Sequence, residues 1–181
     1  MKGTYDHLQR LYLLIFLVLA LGGCLGVPDG VKPVQGFEVE RYLGTWYEIA
    51  RLDHSFERGL SNVTAEYSLR DDGGVRVINR GFKTSAGKWK EAEGKAYFVD
   101  DQTLGKLKVS FFGPFYGAYN VIALDQQAYQ WSLVVGPDTD YLWILSRTPV
   151  LEQAIVEGLI SEAKSHGFDT DKLIWVSQSE Q

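Results

Sequence analysis

Cysteine is almost missing from this chain. Its 181 residues hold one, Cys24, so no intrachain disulfide can form and the fold must be held by its core. Cationic side chains are outnumbered: 18 Lys and Arg against 23 Asp and Glu give a net charge of −5, which excludes the clustered positive surface that nucleic acid needs. Histidine is rarer still. After the first ten residues only His54 and His166 remain, and no G-x-S-x-G elbow accompanies them, so nucleophilic catalysis has no evident base. Metal ligation fares no better: there is no H-E-x-x-H, and the Asp138/Asp140 and Asp169/Asp171 pairs lack the glycine and distal Glu of a calcium loop. These absences predict no catalytic residues, no metal and no cofactor. His54 reads as a solvated loop residue.

What is abundant is apolar. A 45% hydrophobic, 13% aromatic composition over this length predicts one folded domain with a sizeable core. Lys2 and Arg10 precede an apolar run at 11–21, which is shorter than the roughly 20 residues of a membrane span and reads as a secretory signal peptide. The run ends in Leu21, Gly22, Gly23 and Cys24, a match to the bacterial lipobox, in which cleavage precedes a cysteine lipidated through its sulfur. The alternative is an ordinary signal peptide with a chance cysteine. Each buried methylene of an acyl chain contributes about 0.8 kcal/mol, so more than one chain anchors the protein without a spanning helix. Leu25, where inner-membrane lipoproteins often carry Asp, favours the outer membrane, with the protein facing the periplasm. The expected division is signal peptide 1–23, lipidated Cys24 with a flexible tether through 36, and a folded domain 37–181.

From Phe37 onward the pattern is all-β. A strand around Trp46 is followed by a loop over 53–58, then by alternation at Val63, Ala65, Tyr67 and Leu69. Asp71, Asp72, Gly73 and Gly74 turn this onto Val75, Val77 and Asn79. Further strands are predicted at 93–99, 106–112, 116–124, 130–135 and 141–146, each bounded by Gly, Pro or Asp. Eight antiparallel strands in simple succession close into an up-and-down β-barrel. The period then becomes helical, with Leu151, Ala154, Ile155, Leu159 and Ala163 on one face. Thr148 is the expected N-cap, Pro149 the first turn and Gly167 the stop. This predicts one C-terminal α-helix packed outside the barrel, then a short final strand at 173–176.

Strand phase sends Trp46, Glu48 and Ala50 inward, with Val63, Ala65, Tyr67 and Leu69, Val77 and Asn79, Val109 and Phe111, and Tyr141, Trp143 and Leu145 as further inward rows. Two outcomes fit such rows, a ligand cavity or a dry core. Phe112, Phe115 and Tyr116 either form an exposed patch at the barrel mouth or pack beneath neighbouring loops.

Three pieces carry a family likeness: Gly44, Thr45, Trp46 and Tyr47; then Thr139, Asp140 and Tyr141; then Arg147 just beyond. Together with the runs GTWYEIARLDHSFERGL, KVSFFGPFYGAYNVIALD and YLWILSRTP, they resemble the lipocalins, in particular the bacterial outer-membrane lipocalins related to apolipoprotein D. The resemblance implies that Trp46 closes the base of the barrel beneath the guanidinium of Arg147. It also implies a pocket lined by Tyr67, Asn79 and Trp143, to which the strand phases add Glu48, Val109 and Phe111. The implied ligand is a fatty acid or lysophospholipid, stored or carried for envelope maintenance, and a homodimer is an open alternative. Two rivals remain: an enzyme modifying a lipid or isoprenoid inside the barrel, for which Glu48 is the available acid, and a structural lipoprotein whose barrel is filled.

Overall fold

Alternating apolar and polar residues build eight antiparallel strands, and the computed structural model, which describes residues 25–178, closes them into a barrel. They are β1 (Gly44–Arg51), β2 (Leu60–Leu69), β3 (Val75–Lys83), β4 (Lys88–Phe98), β5 (Lys106–Phe112), β6 (Phe115–Leu124), β7 (Trp131–Val135) and β8 (Leu142–Ser146). Each pairs with the next, and β1 pairs with both β2 and β8, which removes every open edge of the ring. The expected signal peptide and Cys24 lie outside the described residues. Strands β3 and β4 run further than their apolar residues suggested. Their hairpin continues through the pairs Gly81 with Lys90, Phe82 with Trp89 and Lys83 with Lys88, ending in a turn where Gly87 adopts φ +58°.

The order of pairing gives the barrel two ends. At the base lie the start of β1 and the turns β2–β3, β4–β5 and β6–β7; at the open end lie the 52–59 loop and the turns β3–β4, β5–β6 and β7–β8. A short helix, α1 (Val39–Tyr42), crosses the base. The stretch expected to be a flexible tether is instead laid on the barrel. Val31 is buried, Val34 exchanges backbone hydrogen bonds with Val121 (2.8 Å) and Gly105 (2.9 Å), and the Phe37 amide donates to the Thr103 carbonyl at 2.9 Å. Its Gly and Pro residues made it look loose, but the valines between them find partners.

Two cores result, one on each side of the same sheet. The inner one contains Trp46, Tyr67, Val75, Val77, Leu107, Val134 and Leu145. The outer one sits between the barrel and α2 (Gln153–Ser165), with Leu133, Leu142, Ile144, Leu159, Ala163 and Phe168. A β-bulge between Glu48 and Ala50 lets β1 serve both. The extra residue reverses the alternation, so Ala50, expected inward, packs in the outer core, while Arg51 turns inward. Leu69 is a second departure, 54% exposed, because β1 begins opposite Tyr67 and leaves nothing over the end of β2.

Helix α2 starts later than expected. The Thr148 hydroxyl donates to the Val150 carbonyl at 2.7 Å and is spent in that local turn, and the first helical amides, Ile155 and Val156, bond to the Glu152 carbonyl. The buried face is Val156, Leu159 and Ala163, with Ala154 exposed. Gly167 ends it at φ +83°. The final strand, β9 (Ile174–Trp175), pairs with Ala50 and Arg51 of β1 outside the ring.

Candidate functional site

The base is sealed by an indole. Trp46 is fully buried, its Nε1 donates to the Tyr42 carbonyl at 2.8 Å, and its ring lies 4.5 Å from that of Tyr42. The guanidinium carbon of Arg147 sits 4.0 Å from the Trp46 ring centroid. The same guanidinium donates to the carbonyls of Thr45 (3.0 Å), Arg41 (2.7 Å) and Tyr129 (3.2 Å), so one cation ties α1, β1 and the β6–β7 turn together. Gly44 accommodates this with φ +91°, and a Cβ there would meet Arg147 Nη1 at 3.4 Å.

Above this floor the interior is hollow. The cavity measures about 100 Å³ and opens to solvent at the mouth. Val63, Val77, Val109, Phe111, Trp143 and Leu145 form much of an apolar wall. Low in the cavity three phenols make a chain: Tyr67 to Tyr119 at 2.9 Å, Tyr119 to Tyr42 at 2.9 Å, and Tyr42 to Ser132 at 3.0 Å. Burial pushes Tyr42 up to about 12 and Tyr67 and Tyr119 well above the usual phenol range, so all three stay neutral.

Toward the mouth the wall turns charged. Arg51, 1% exposed, donates to Glu48 Oε1 at 2.6 Å and to the Glu57 carbonyl at 2.9 Å. Glu57 Oε2 accepts from Trp143 Nε1 at 3.0 Å and lies 2.8 Å from His54 Nε2. His54 is therefore buried, 6% exposed, and stacked on Phe56 at 3.9 Å; the solvated reading fails because the 52–59 loop folds into the mouth. Burial raises the Glu48 carboxyl well above its ordinary value of 4.5, the negative charge of Glu57 adds to this, and Arg51 opposes it. Arg51, bonded to Glu48, offsets negative charge within this buried group.

A raised folded-state pKa stabilises the fold while the group is protonated. The contribution is complete below the ordinary carboxylate value and is lost as pH rises through the raised one. Wild-type stability in denaturant is thus expected to fall from about pH 5 upward, by at most about 1.4 kcal/mol per pH unit, and Glu48→Gln is expected to flatten that slope. Equal slopes in the two proteins would contradict a raised Glu48 carboxyl.

A model of the lipocalin-like domain matches residues 37–178. The chain belongs to the lipocalins. Among its lipocalin relatives is the outer membrane lipoprotein Blc of Vibrio cholerae, 59% identical over 170 residues that cover 94% of this chain and 99% of the relative. The Blc lipoprotein of Escherichia coli K12 is 60% identical over 83% of this chain and 85% of its own, and bovine apolipoprotein D is 34% identical over 91% and 94%. Among solved structures, insecticyanin from the tobacco hornworm Manduca sexta superposes with a TM-score of 0.69 at 27% identity, over 86% of this chain and 88% of its own.

Within this lipocalin, Gly44, Trp46 and Arg147 meet at the base, whereas Thr139, Asp140 and Tyr141 form the β7–β8 turn at the other end. There the Asp140 amide donates to Asp138 Oδ1 at 2.9 Å and Tyr141 stacks toward Trp143. Glu48, Tyr67, Asn79, Val109, Phe111 and Trp143 all face the cavity. The sequence reading missed Tyr42, Arg51, Glu57 and Tyr119. The phase of Tyr119 was legible, since it alternates with Ala118 and Asn120, but a one-turn helix, a bulge and a loop folded inward leave no periodic trace.

Proposed function

We propose that this lipocalin, a lipid-anchored protein of the bacterial outer membrane, binds a long-chain fatty acid or lysophospholipid in its barrel and stores or carries it for envelope maintenance. The observation that carries this reading is the largely apolar cavity closed at one end by Trp46, with the polar groups Glu48, Glu57 and Asn79 in its lining. About 15 methylenes contribute on the order of 12 kcal/mol gross on burial, enough to leave micromolar or tighter binding after the cost of immobilisation. At the mouth, Glu48, Glu57 and Asn79, whose Oδ1 is buried without a hydrogen-bond partner, suit a polar head group.

Delipidated protein titrated with a fluorescent fatty acid and with a lysophospholipid is expected to show saturable binding. Val109→Trp, which fills the bore, is expected to weaken it by at least about tenfold while the protein stays folded. Undiminished binding by that variant would place the ligand elsewhere. Family membership points to ligand binding rather than catalysis, yet the buried Glu48, Glu57 and His54 favour a second reading, chemistry on the bound lipid. Recovery of unchanged lipid after prolonged incubation rejects it.

A further inference from the structure

The floor of the cavity carries one more hydroxyl proton than the protein uses. Tyr67, Tyr119, Tyr42 and Ser132 form an unbranched chain joined by hydrogen bonds of 2.9, 2.9 and 3.0 Å. Burial keeps the three phenols protonated, so the four hydroxyls bring four protons, and each of the three bonds uses one. Among the described residues no further acceptor meets any of the four. One O–H is therefore left over, whichever way the bonds run.

Position decides where that proton points. Ser132, at one end of the chain, is fully buried on β7 and is not part of the cavity wall. Tyr67, at the other end, lines the cavity, is 7% exposed and has Tyr119 as its single hydroxyl partner. With Ser132 donating to Tyr42, Tyr42 to Tyr119 and Tyr119 to Tyr67, every link is made and the Tyr67 O–H opens on the cavity. The place is deep, because Tyr67 pairs with Gly44 at the start of β1, and Val75, Val77 and Leu107 of the same buried cluster add no second polar group. An alkyl chain pressed against this donor leaves it unpaired, which weakens binding by on the order of tenfold.

We propose that the cavity floor is a subsite for a neutral oxygen acceptor on the inner part of a bound acyl chain, a ketone or an epoxide, held by the Tyr67 hydroxyl. Such an oxygen takes the unused proton and adds none, whereas a chain hydroxyl brings a further proton that needs an acceptor in turn. A carboxylate is the wrong match. An ion drawn out of water needs several donors to offset its desolvation, and this chain offers one. The head group therefore stays at the mouth, and the lipid favoured by the floor is an oxo or epoxy acyl lipid. The inference rests on the binding reading and narrows its ligand class.

The test is a series of octadecanoic acids with a single ketone moved along the chain, each competed against a fluorescent fatty acid on full-length protein freed of bound lipid. All members carry the same polar atoms, so the solvation of the ketone largely cancels between them. One isomer is expected to bind at least about tenfold tighter than those that leave the ketone against the apolar wall. With that isomer labelled at the ketone carbon, its NMR resonance is expected to move downfield on binding, and Tyr67→Phe to reverse the move and erase the preference. Ser132→Ala is expected to keep both, since the three phenols then make two bonds and one proton is still unused. If Tyr67→Phe does not fold, the affinity series and the ketone resonance of the unmutated protein decide. Equal affinities along the series, a preference that survives Tyr67→Phe, or a labelled carboxyl carbon whose resonance moves on Tyr67→Phe, placing the head group at the floor, overturns the proposal. Equal but saturable binding leaves the carrier reading standing, while no binding of any acid sinks both.

Discussion

Trp46→Ala is expected to destabilise the barrel by about 3–5 kcal/mol and lower its melting temperature by on the order of 10 °C. Trp46 is fully buried, and three things go with it: the stacked contact with Tyr42, the hydrogen bond to the Tyr42 carbonyl, and the surface on which Arg147 lies. The remaining hole cannot collapse, because its other walls are strands locked in a closed ring. Removing the indole also opens the cavity floor to water, so weaker lipid binding is expected beyond the stability loss. Trp175→Ala, at a residue 56% exposed on β9, serves as the comparison and should stay within about 0.5 kcal/mol. Thermal unfolding of the two variants decides the point, and similar losses would show that the base does not depend on its aromatic plug.

Arg51→Met is expected to cost a comparable 3–5 kcal/mol by a different route, since it strands buried charge without creating a void. Arg51 bonds the Glu48 carboxyl in a buried group that also holds Glu57, and its other bond holds the loop at the Glu57 carbonyl. The loss should grow with pH, because burial and the nearby charge of Glu57 already resist ionisation of Glu48 and no cation would remain to offset it. Adding Glu48→Gln and Glu57→Gln to Arg51→Met removes the stranded charge and should restore most of the stability. Denaturant unfolding at pH 5 and pH 8 measures both effects; a triple variant no more stable than Arg51→Met would show that the arginine acts by packing alone.

The two halves of the site were unequally legible. Tyr67, Asn79, Val109, Phe111 and Trp143 are set by strand phase, which survives in sequence because a pleated strand exposes alternate residues to one environment. Family likeness added the meeting of Trp46 and Arg147, which no periodicity reveals. The charged group at the mouth was illegible for a definable reason. Arg51 ends a strand in which Trp46 and Glu48 face inward, and one extra residue at the bulge is needed to bring it round; His54 and Glu57 belong to a loop whose course depends on the barrel it folds into.

By itself the sequence determined an all-β barrel of eight strands with an outer helix and an acidic, nearly cysteine-free composition, because periodicity, turn residues and composition are local properties that each segment carries along. Only the tertiary structure decided that the barrel is hollow, that the stretch after Cys24 lies against the wall, and that Glu48, Arg51, His54 and Glu57 converge at the mouth. Those outcomes depend on distant residues competing for the same space. Burial is what turns a carboxylate, a guanidinium and an imidazole from solvated side chains into one electrostatic unit.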